Sequence, residues 1–229
     1  MMKLAKRLIL LTLALVLLHQ GWLFAHVCWW IEHNPSRSAF MSARLADMRE
    51  DDPEAELHHR WVPYERISRN LKRAVMASED AKFLQHEGFD WEGMQTAWEK
   101  NLKKGRIVAG GSTISQQLAK NLFLSGKRTP WRKGEEAIIT FMLEQMMTKR
   151  RIFEIYLNVI EWGDGVFGAE AAARHYYRKP ASALTPHEAA RLAAMVPNPR
   201  YYDKHRSTRY LERRTRIIQR RMNYVRPPR

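Results

Sequence analysis

The sequence predicts a mainly α-helical domain preceded by one N-terminal transmembrane helix, and three observations support this prediction. From Tyr64 onward almost every segment spaces its apolar residues three and four apart, whereas runs that alternate with a period of two are scarce. Capping boxes, which mark helix starts, occur at Thr113-x-x-Gln116 and at Thr185-Pro186-His187-Glu188. A run without Asp, Glu, Lys or Arg extends from Leu8 to Ile31, and at ~1.5 Å per residue it can cross a bilayer core of ~30 Å.

The apolar run, residues 8–31, is interpreted as a retained membrane anchor. Positive charges precede it, so residues 1–7 are expected in the cytoplasm and the rest of the chain outside the plasma (inner) membrane. Three tryptophans in its second half suit the far interface: Trp22, Trp29 and Trp30. A cleaved signal peptide is the competing interpretation, but no small-x-small cleavage site follows and the run continues to Ile31. The third possible interpretation is a buried helix of the protein core.

Composition limits the other possibilities. The chain has 229 residues, enough for one ordinary domain plus an appendage, and a formal net charge of +15. That charge predicts an anionic partner, which could be nucleic acid, a lipid head group or a phosphorylated substrate. Cys28 is the single cysteine, so an intrachain disulfide is excluded.

Two segments flank the predicted domain, which is placed at residues 61–203. Residues 32–60 are polar, mixed in charge and broken by prolines, as in a juxtamembrane connection with one short helix. Residues 204–229 carry ten Lys or Arg and one acid, Glu212, with Leu211, Ile218 and Met222 roughly on one side. This basic helix or tail either contacts anionic lipid head groups or is simply solvated.

Adjacent carboxylates at Glu79 and Asp80 form the first candidate site. They follow a segment whose apolar residues share one helical face, and Phe83, His86 and Gly88 then suggest a turn that packs back on the helix end. A carboxylate at such a junction can point into a cleft and act as a general acid or base. The alternative is a solvated acidic pair after a surface helix.

A glycine-led helix start forms the second candidate site. Gly110 and Gly111 precede a hydroxyl cap, so free backbone N–H groups are expected at the helix start, where an anion can bind. Gln117, Lys120 and Asn121 lie three and four apart and share a polar face. The alternative is a glycine turn before an ordinary amphipathic helix. The preceding residues 101–109, rich in Lys, Arg and Gly, suggest a mobile flap.

A carboxylate on an apolar helix face forms the third candidate site. Glu136 shares its face with Ile139, Leu143 and Met147, and Arg132 lies four residues before it. A carboxylate on the apolar side of a helix is costly unless it is paired or used. The alternative to a functional role is a structural ion pair with Arg132.

Together these stretches resemble the biosynthetic peptidoglycan glycosyltransferases, the transglycosylase domain also found in bifunctional penicillin-binding proteins. The family pattern Glu-Asp-x-x-Phe-x-x-His-x-Gly spans residues 79–88, and Gly-Gly-Ser-Thr-Ile-x-Gln-Gln-x-x-Lys-Asn spans residues 110–121. Arg-Lys-x-x-Glu spans 132–136 and Tyr-Leu-Asn-x-x-x-x-Gly spans 156–163, with a last block from Tyr176 to Tyr201. Phe153 stands where the pattern has leucine. No Ser-x-x-Lys occurs, so the chain resembles the monofunctional members, which lack a transpeptidase half.

The resemblance implies a lysozyme-like domain with a small membrane-proximal lobe. It also implies polymerisation of lipid II into β-1,4-linked glycan strands, with inversion at MurNAc C1 and release of undecaprenyl pyrophosphate. The catalytic residues would be Glu79, as general base, and Glu136. The substrate-binding residues would be Ser112, Thr113, Gln117, Lys120, Asn121 and Arg132. No cofactor is certain, and a divalent cation such as Mg²⁺ or Mn²⁺ is the one candidate.

Expected partners are lipid II, the growing strand, the membrane and other cell-wall synthesis or division proteins, without nucleic acid. Three other functions stay open at the level of sequence. A lytic muramidase would use Glu79 as an acid, but it does not need Lys120 and Arg132 for a charged leaving group. A membrane-tethered protein could use its basic surface for binding without catalysis. An inactive family member could act as a scaffold.

Overall fold

The computed structural model describes residues 2–106, 110–124 and 129–229, and it is mainly helical as predicted. The helices are α1 (Met2–Glu32), α2 (Ala39–Asp51), α3 (Arg69–Glu79), α4 (Trp91–Lys104), α5 (Ile114–Phe123), α6 (Pro130–Met146), α7 (Lys149–Val159), α8 (Ala169–Tyr177), α9 (Pro186–Met195), α10 (Pro199–Lys204) and α11 (Arg209–Arg221). Three short strands are β1 (His58–His59), β2 (Glu161–Gly163) and β3 (Val166–Phe167). Both predicted capping boxes are present, at Thr113 and Thr185.

Helix α7 lies at the centre of the core. Its apolar residues from Ile152 to Val159 are buried on nearly all sides, and it packs against α5, α6 and α8. Such all-round burial is expected of a helix enclosed by other helices. The three strands form a small sheet in the order β1-β3-β2, with β1 parallel and β2 antiparallel to β3. His58 pairs with Val166, which ties the segment before the domain to its core.

The juxtamembrane segment is part of this fold. Its one helix, α2, begins at the N-cap Ser38 and buries Met41 and Leu45. It packs against α5. The predicted helix in a connection is therefore present, but apolar burial makes it an element of the domain rather than a spacer.

Helix α1 has the length and composition to span a membrane, and it is the one such helix among the described residues. Its first half is exposed, whereas Leu23, Val27 and Trp30 near its C-terminal end are buried against the domain. The Trp30 ring lies 5.0 Å from that of Phe123, centre to centre. The Trp30 ring thus fills the junction between α1 and the domain, and the interface position expected for the three tryptophans stays a prediction.

Large apolar side chains remain exposed on α6, which packs against α1, and on α4. Helix α6 packs along α1 and leaves Trp131, Ile138 and Phe141 exposed, and α4 leaves Trp98 and Leu102 exposed. An exposed apolar surface of this size marks an interaction site rather than an ordinary solvated surface. The small membrane-proximal lobe that the resemblance implies stays a prediction.

The basic C-terminal segment is a packed helix. In α11 the residues Leu211, Thr215 and Ile218 are buried, and the helix packs against α9 and α3. The interpretation of a solvated tail is therefore wrong for residues 209–221, because their apolar stripe completes the core beside α3. The predicted one-sided placement of Leu211 and Ile218 is confirmed.

Candidate active site

The end of α3 opens into a cleft of about 430 Å³. Glu79 and Asp80 line one wall, the loop from Gly110 to Thr113 lines another, and the first turns of α4 close the third. The structure thus brings together the first two stretches that the sequence singled out. Of the predicted flap, residues 101–104 form the end of α4, and 107–109 lie outside the described residues.

Glu79 is held in this cleft by three polar side chains. Ser78 Oγ donates a hydrogen bond to Glu79 Oε1 at 2.8 Å, and Gln117 Nε2 donates to Oε2 at 3.2 Å. The guanidinium Nη2 of Arg214 lies 3.7 Å from Oε1. The glutamate side chain is only 10% exposed, so its orientation is fixed while one edge still reaches the cleft.

Burial raises the pKa of Glu79 above its usual value, because the charged form loses hydration. The hydrogen bonds from Ser78 and Gln117 and the positive charge of Arg214 oppose this rise. A general base needs both effects. The hydrogen bonds and the charge of Arg214 favour the ionised form that exists before the reaction, and the raised pKa favours uptake of a proton during it.

Gln117 is oriented by Tyr156. The phenol of Tyr156 donates to Gln117 Oε1 at 2.8 Å, which turns the amide Nε2 towards Glu79. Burial, reinforced by the charges of Glu79 and Asp80, raises the pKa of Tyr156 well above its usual value, so the phenol stays a neutral donor. Asn121 Nδ2 donates to the backbone carbonyl of Gln117 at 2.7 Å. Asn121 is buried and does not line the cleft.

Asp80 lines the same cleft, but its carboxylate is engaged by groups other than those that hold Glu79. Its carboxylate accepts the backbone N–H of Ile114 at 3.0 Å and lies 3.1 Å from His86 Nε2. It therefore joins the end of α3, the turn after it and the start of α5. The predicted turn that packs back on the helix end is confirmed by this contact.

The predicted seat for an anion at the start of α5 is largely occupied by the protein itself. The N–H of Ile114 is bonded to Asp80, that of Gln116 to Thr113 Oγ1, and that of Thr113 to Gln116 Oε1. The Thr113 hydroxyl also donates to the Gly88 carbonyl at 2.7 Å. The expectation of free N–H groups is therefore wrong for these three donors, because the capping box and Asp80 already satisfy them. Ser112 is exposed and lines the cleft.

Arg132 and Glu136 form a second cluster on α6. Arg132 Nη1 donates to Glu136 Oε2 at 3.2 Å, and Lys133 forms an ion pair with Oε1. Glu136 is 3% exposed, on the same face as the buried Ile139 and Leu143. The ion pair that the sequence allowed is thus present. The described hydrogen-bond and ion-pair partners of Glu136 and of Glu79 do not overlap, so these are two separate clusters.

Lys120 lies on the side of α5 that faces α2, where its Nζ is 5.5 Å from the centre of the Phe40 ring. It does not line the cleft next to Glu79. Among the described residues no group of three or more His, Cys, Asp or Glu is placed to hold a metal ion. The carboxylates of Glu79, Asp90 and Glu92 line the cleft and have the chemistry that Mg²⁺ or Mn²⁺ prefers, but they are not gathered into a ligand set.

Sequence reasoning missed Arg214, Ser78 and Tyr156 as parts of the site. Arg214 was counted as one charge in a basic helix, although its position between Leu211 and Thr215 places it next to the buried face. Tyr156 opens the motif Tyr-Leu-Asn-x-x-x-x-Gly, but the sequence alone assigns it no role. The helical period of the buried residues in α11 could have placed Arg214 at the edge of the buried face. Only the packing of α11 on α3 shows that the Arg214 side chain lies beside Glu79.

Comparisons with known proteins agree with the motifs. The family model described as Transglycosylase matches residues 46–223, a span that takes in α11. A protein of Methylobacillus flagellatus is 70% identical over 220 residues, with 96% of each chain covered. One of Laribacter hongkongensis is 72% identical over 216 residues, covering 94% of this chain and 95% of the relative. One of Chromobacterium violaceum is 66% identical over 215 residues, with 94% of each covered. All three are named biosynthetic peptidoglycan transglycosylase.

Proposed function

The chain belongs to the transglycosylase family, and from this premise we propose that the cleft at Glu79 is where glycan strands are extended. The protein is a peptidoglycan glycosyltransferase of cell-wall biosynthesis, with lipid II and the glycan strand as its substrates. Its mainly helical fold with one apolar N-terminal helix agrees with a membrane-anchored, lysozyme-like domain.

The proposed reaction is a single displacement with inversion. The donor strand is held through MurNAc C1 to undecaprenyl pyrophosphate, and the acceptor is the 4-hydroxyl of GlcNAc in lipid II. Glu79 takes the hydroxyl proton as the oxygen attacks C1, the bond from C1 to the pyrophosphate oxygen breaks, and undecaprenyl pyrophosphate leaves. The α-linked donor becomes a β-1,4 linkage.

The single observation that carries this assignment is the setting of Glu79. A buried glutamate reaches a cleft while two hydrogen-bond donors and a guanidinium hold its carboxylate. No comparable setting surrounds Asp80, whose carboxylate is occupied by Ile114 and His86. Glu79 is therefore the base, and Gln117 with Tyr156 positions it.

The departing pyrophosphate needs positive charge, and we assign this role to Lys120 and Arg132. Glu136 pairs with Arg132 at 3.2 Å, so its role is to hold the guanidinium rather than to accept a proton. Ser112, which is exposed in the cleft, is assigned to a sugar or phosphate contact. Thr113 and Asn121 act indirectly, because their side chains are already bonded within the protein.

Membrane anchoring by α1 places the enzyme where its lipid-linked substrate diffuses. Lys3, Lys6 and Arg7 precede the apolar run, so we place the N-terminus in the cytoplasm and the domain on the outer face of the inner membrane. The exposed apolar side chains of α6, among them Trp131 and Phe141, are then in contact with lipid.

The test compares full-length protein with its Glu79→Gln, Glu136→Gln and Glu99→Gln variants on labelled lipid II in detergent. Glu99 is an exposed carboxylate of α4 and is the matched control. We expect E79Q to lose polymerisation by at least ~100-fold, the scale of a general base. E136Q is expected to lose less, and E99Q to retain full activity.

The identity of the product separates the alternatives. Lysozyme-sensitive polymer from the native protein and E99Q, but not from E79Q, supports the proposal. Polymer from E79Q at the native rate removes Glu79 from the mechanism. Shortening of preformed glycan without polymer formation would instead support the lytic muramidase.

A further inference from the structure

A strongly basic pocket of about 550 Å³ lies at the start of α3, where the C-terminal residues of the chain cross the domain. Tyr64 OH donates to the Pro228 carbonyl at 2.7 Å and fixes this crossing. Six cationic side chains line the pocket: Arg69, Lys72, Arg73, Arg150, Arg226 and Arg229. Against them stands Glu65, which lines the pocket and pairs with Arg150.

Most of this positive charge is not neutralised by the protein. Within the described chain, no carboxylate lies within ion-pair distance of Arg69, Lys72 or Arg226, and Arg73 Nε is buried without a hydrogen-bond partner. Burial lowers the pKa of Lys72, and the neighbouring charge of Arg69 lowers it further. Like charges crowded into one concave site raise the affinity for an anion.

The pocket is separate from the cleft. Arg69 and Glu79 lie at opposite ends of the 11-residue helix α3, and at ~1.5 Å per residue their positions are about 15 Å apart along its axis. The N-terminal end of a helix also contributes a positive dipole, which favours an anion at the side of Arg69. An occupant of the pocket would therefore not compete with the substrate at Glu79.

One residue of the pocket is adjacent in the chain to a residue that ties the domain to the end of the anchor. Arg150 lines the pocket, and the next residue, Arg151, donates to the carbonyl oxygens of Trp30 at 3.0 Å and His33 at 2.7 Å. These carbonyls belong to the last turn of α1 and the residue after it. The pocket and the junction with the anchor thus share the first turn of α7.

We propose that this pocket binds a phosphate group. Clustered arginines suit phosphate because the planar guanidinium presents paired N–H donors to its oxygens. The phosphate can come from the head group of an anionic phospholipid such as phosphatidylglycerol, or from a soluble phosphate. Binding a head group would fix how the domain stands on the membrane, independently of catalysis.

The test uses full-length protein in a neutral detergent at fixed ionic strength. The pocket variant is R69Q/R226Q, which changes two exposed residues outside the catalytic machinery. The control is R216Q/R220Q, which removes the same charge from the exposed face of α11. Isothermal titration calorimetry with inorganic phosphate measures soluble binding. Native mass spectrometry counts bound phosphatidylglycerol against phosphatidylcholine. Polymerisation activity shows that each variant is folded.

We expect the native protein to retain phosphatidylglycerol over phosphatidylcholine, and R69Q/R226Q to weaken anion binding about tenfold while R216Q/R220Q stays near native. Loss confined to phosphatidylglycerol assigns the site to a lipid head group, and loss confined to inorganic phosphate assigns it to a soluble ligand. Equal effects of the two pairs, or no binding of either probe, would overturn the proposal.

Discussion

Replacing Arg214 by methionine removes the one positive charge that lies beside Glu79 in the described structure. The guanidinium Nη2 is 3.7 Å from Glu79 Oε1 and also donates to Ser78 Oγ at 3.1 Å. At 3.7 Å, Coulomb's law with an effective dielectric constant of about 20 gives about 4.5 kcal/mol as an upper limit. The Arg214 side chain is 29% exposed, so solvent screening reduces this coupling to the scale of about 1 kcal/mol that is typical of solvent-accessible ion pairs.

The sign of the effect follows from the proposed role of Glu79 as the base. Burial raises the pKa of Glu79 and the charge of Arg214 lowers it, so the R214M variant has a higher pKa at this carboxyl. A base works only when it is ionised. The acid limb of the polymerisation rate should therefore move to higher pH, with most activity recovered on the alkaline side.

The assay is the initial rate of lipid II polymerisation between pH 5 and pH 9, for the native protein and three variants. R214K keeps the charge and should restore most of the acid limb. R213M removes a neighbouring exposed arginine of the same helix and should leave the profile unchanged. A loss in R214M by the same factor at every pH would refute the electrostatic reasoning and leave Arg214 a packing role only.

Three further predictions concern stability, measured as the thermal midpoint of full-length protein in detergent. Gly88→Ala should destabilise the fold by at least ~2 kcal/mol, because the φ of Gly88 is +89° and a new Cβ would lie 2.8 Å from the methyl group of Thr140. In the control Gly134→Ala the new Cβ meets nothing within 4 Å, so this helix substitution should be neutral or stabilising. Equal midpoints for the two variants would contradict this prediction. Leu23→Ala should lower the free energy of unfolding by about 2–4 kcal/mol, because Leu23 is 1% exposed. Leu10→Ala, at a position that is 64% exposed, should lower it little. If neither variant changes the midpoint, α1 does not contribute to the stability of the domain. Glu79→Gln should raise the midpoint near pH 8 by about 2–4 °C, the shift that ~1 kcal/mol gives. The raised pKa of Glu79 means that its contribution to stability is present at low pH and lost as pH rises through the folded-state pKa, so the gain should shrink towards pH 4, and a constant gain would contradict the linkage.

Local sequence patterns were sufficient for most of the elements. The capping boxes at Thr113 and Thr185 start helices where they were expected, because a cap is satisfied within four residues and needs no distant partner. The inward face of α6 from Glu136 to Leu143 was likewise legible, since burial follows the helical period. The length and apolarity of α1 identified it without any knowledge of what it contacts.

The same reasoning failed where a group is satisfied by a distant one. The N–H groups at the start of α5 were expected to be free, but Asp80, 34 residues earlier in the chain, accepts that of Ile114. The C-terminal basic helix was read as lipid-facing or solvated, but its apolar stripe packs on α3 and α9. Hydrogen bonding and burial of these groups depend on tertiary contacts between elements far apart in the chain, and such contacts cannot be inferred from a single sequence.

What the sequence by itself determined was the helical class, the anchor and the family, because these are set by local periodicity, by length and by residues at fixed spacing. Tertiary structure decided which carboxylate of the Glu79–Asp80 pair is available for chemistry. Adjacent residues at a helix end point in different directions. Asp80 accepts the N–H of Ile114 at the start of α5, whereas Glu79 accepts a hydrogen bond from Gln117 and lies beside Arg214. Arg214 lies 135 residues further along the chain (214 − 79 = 135), and only the folded chain brings its charge to the glutamate.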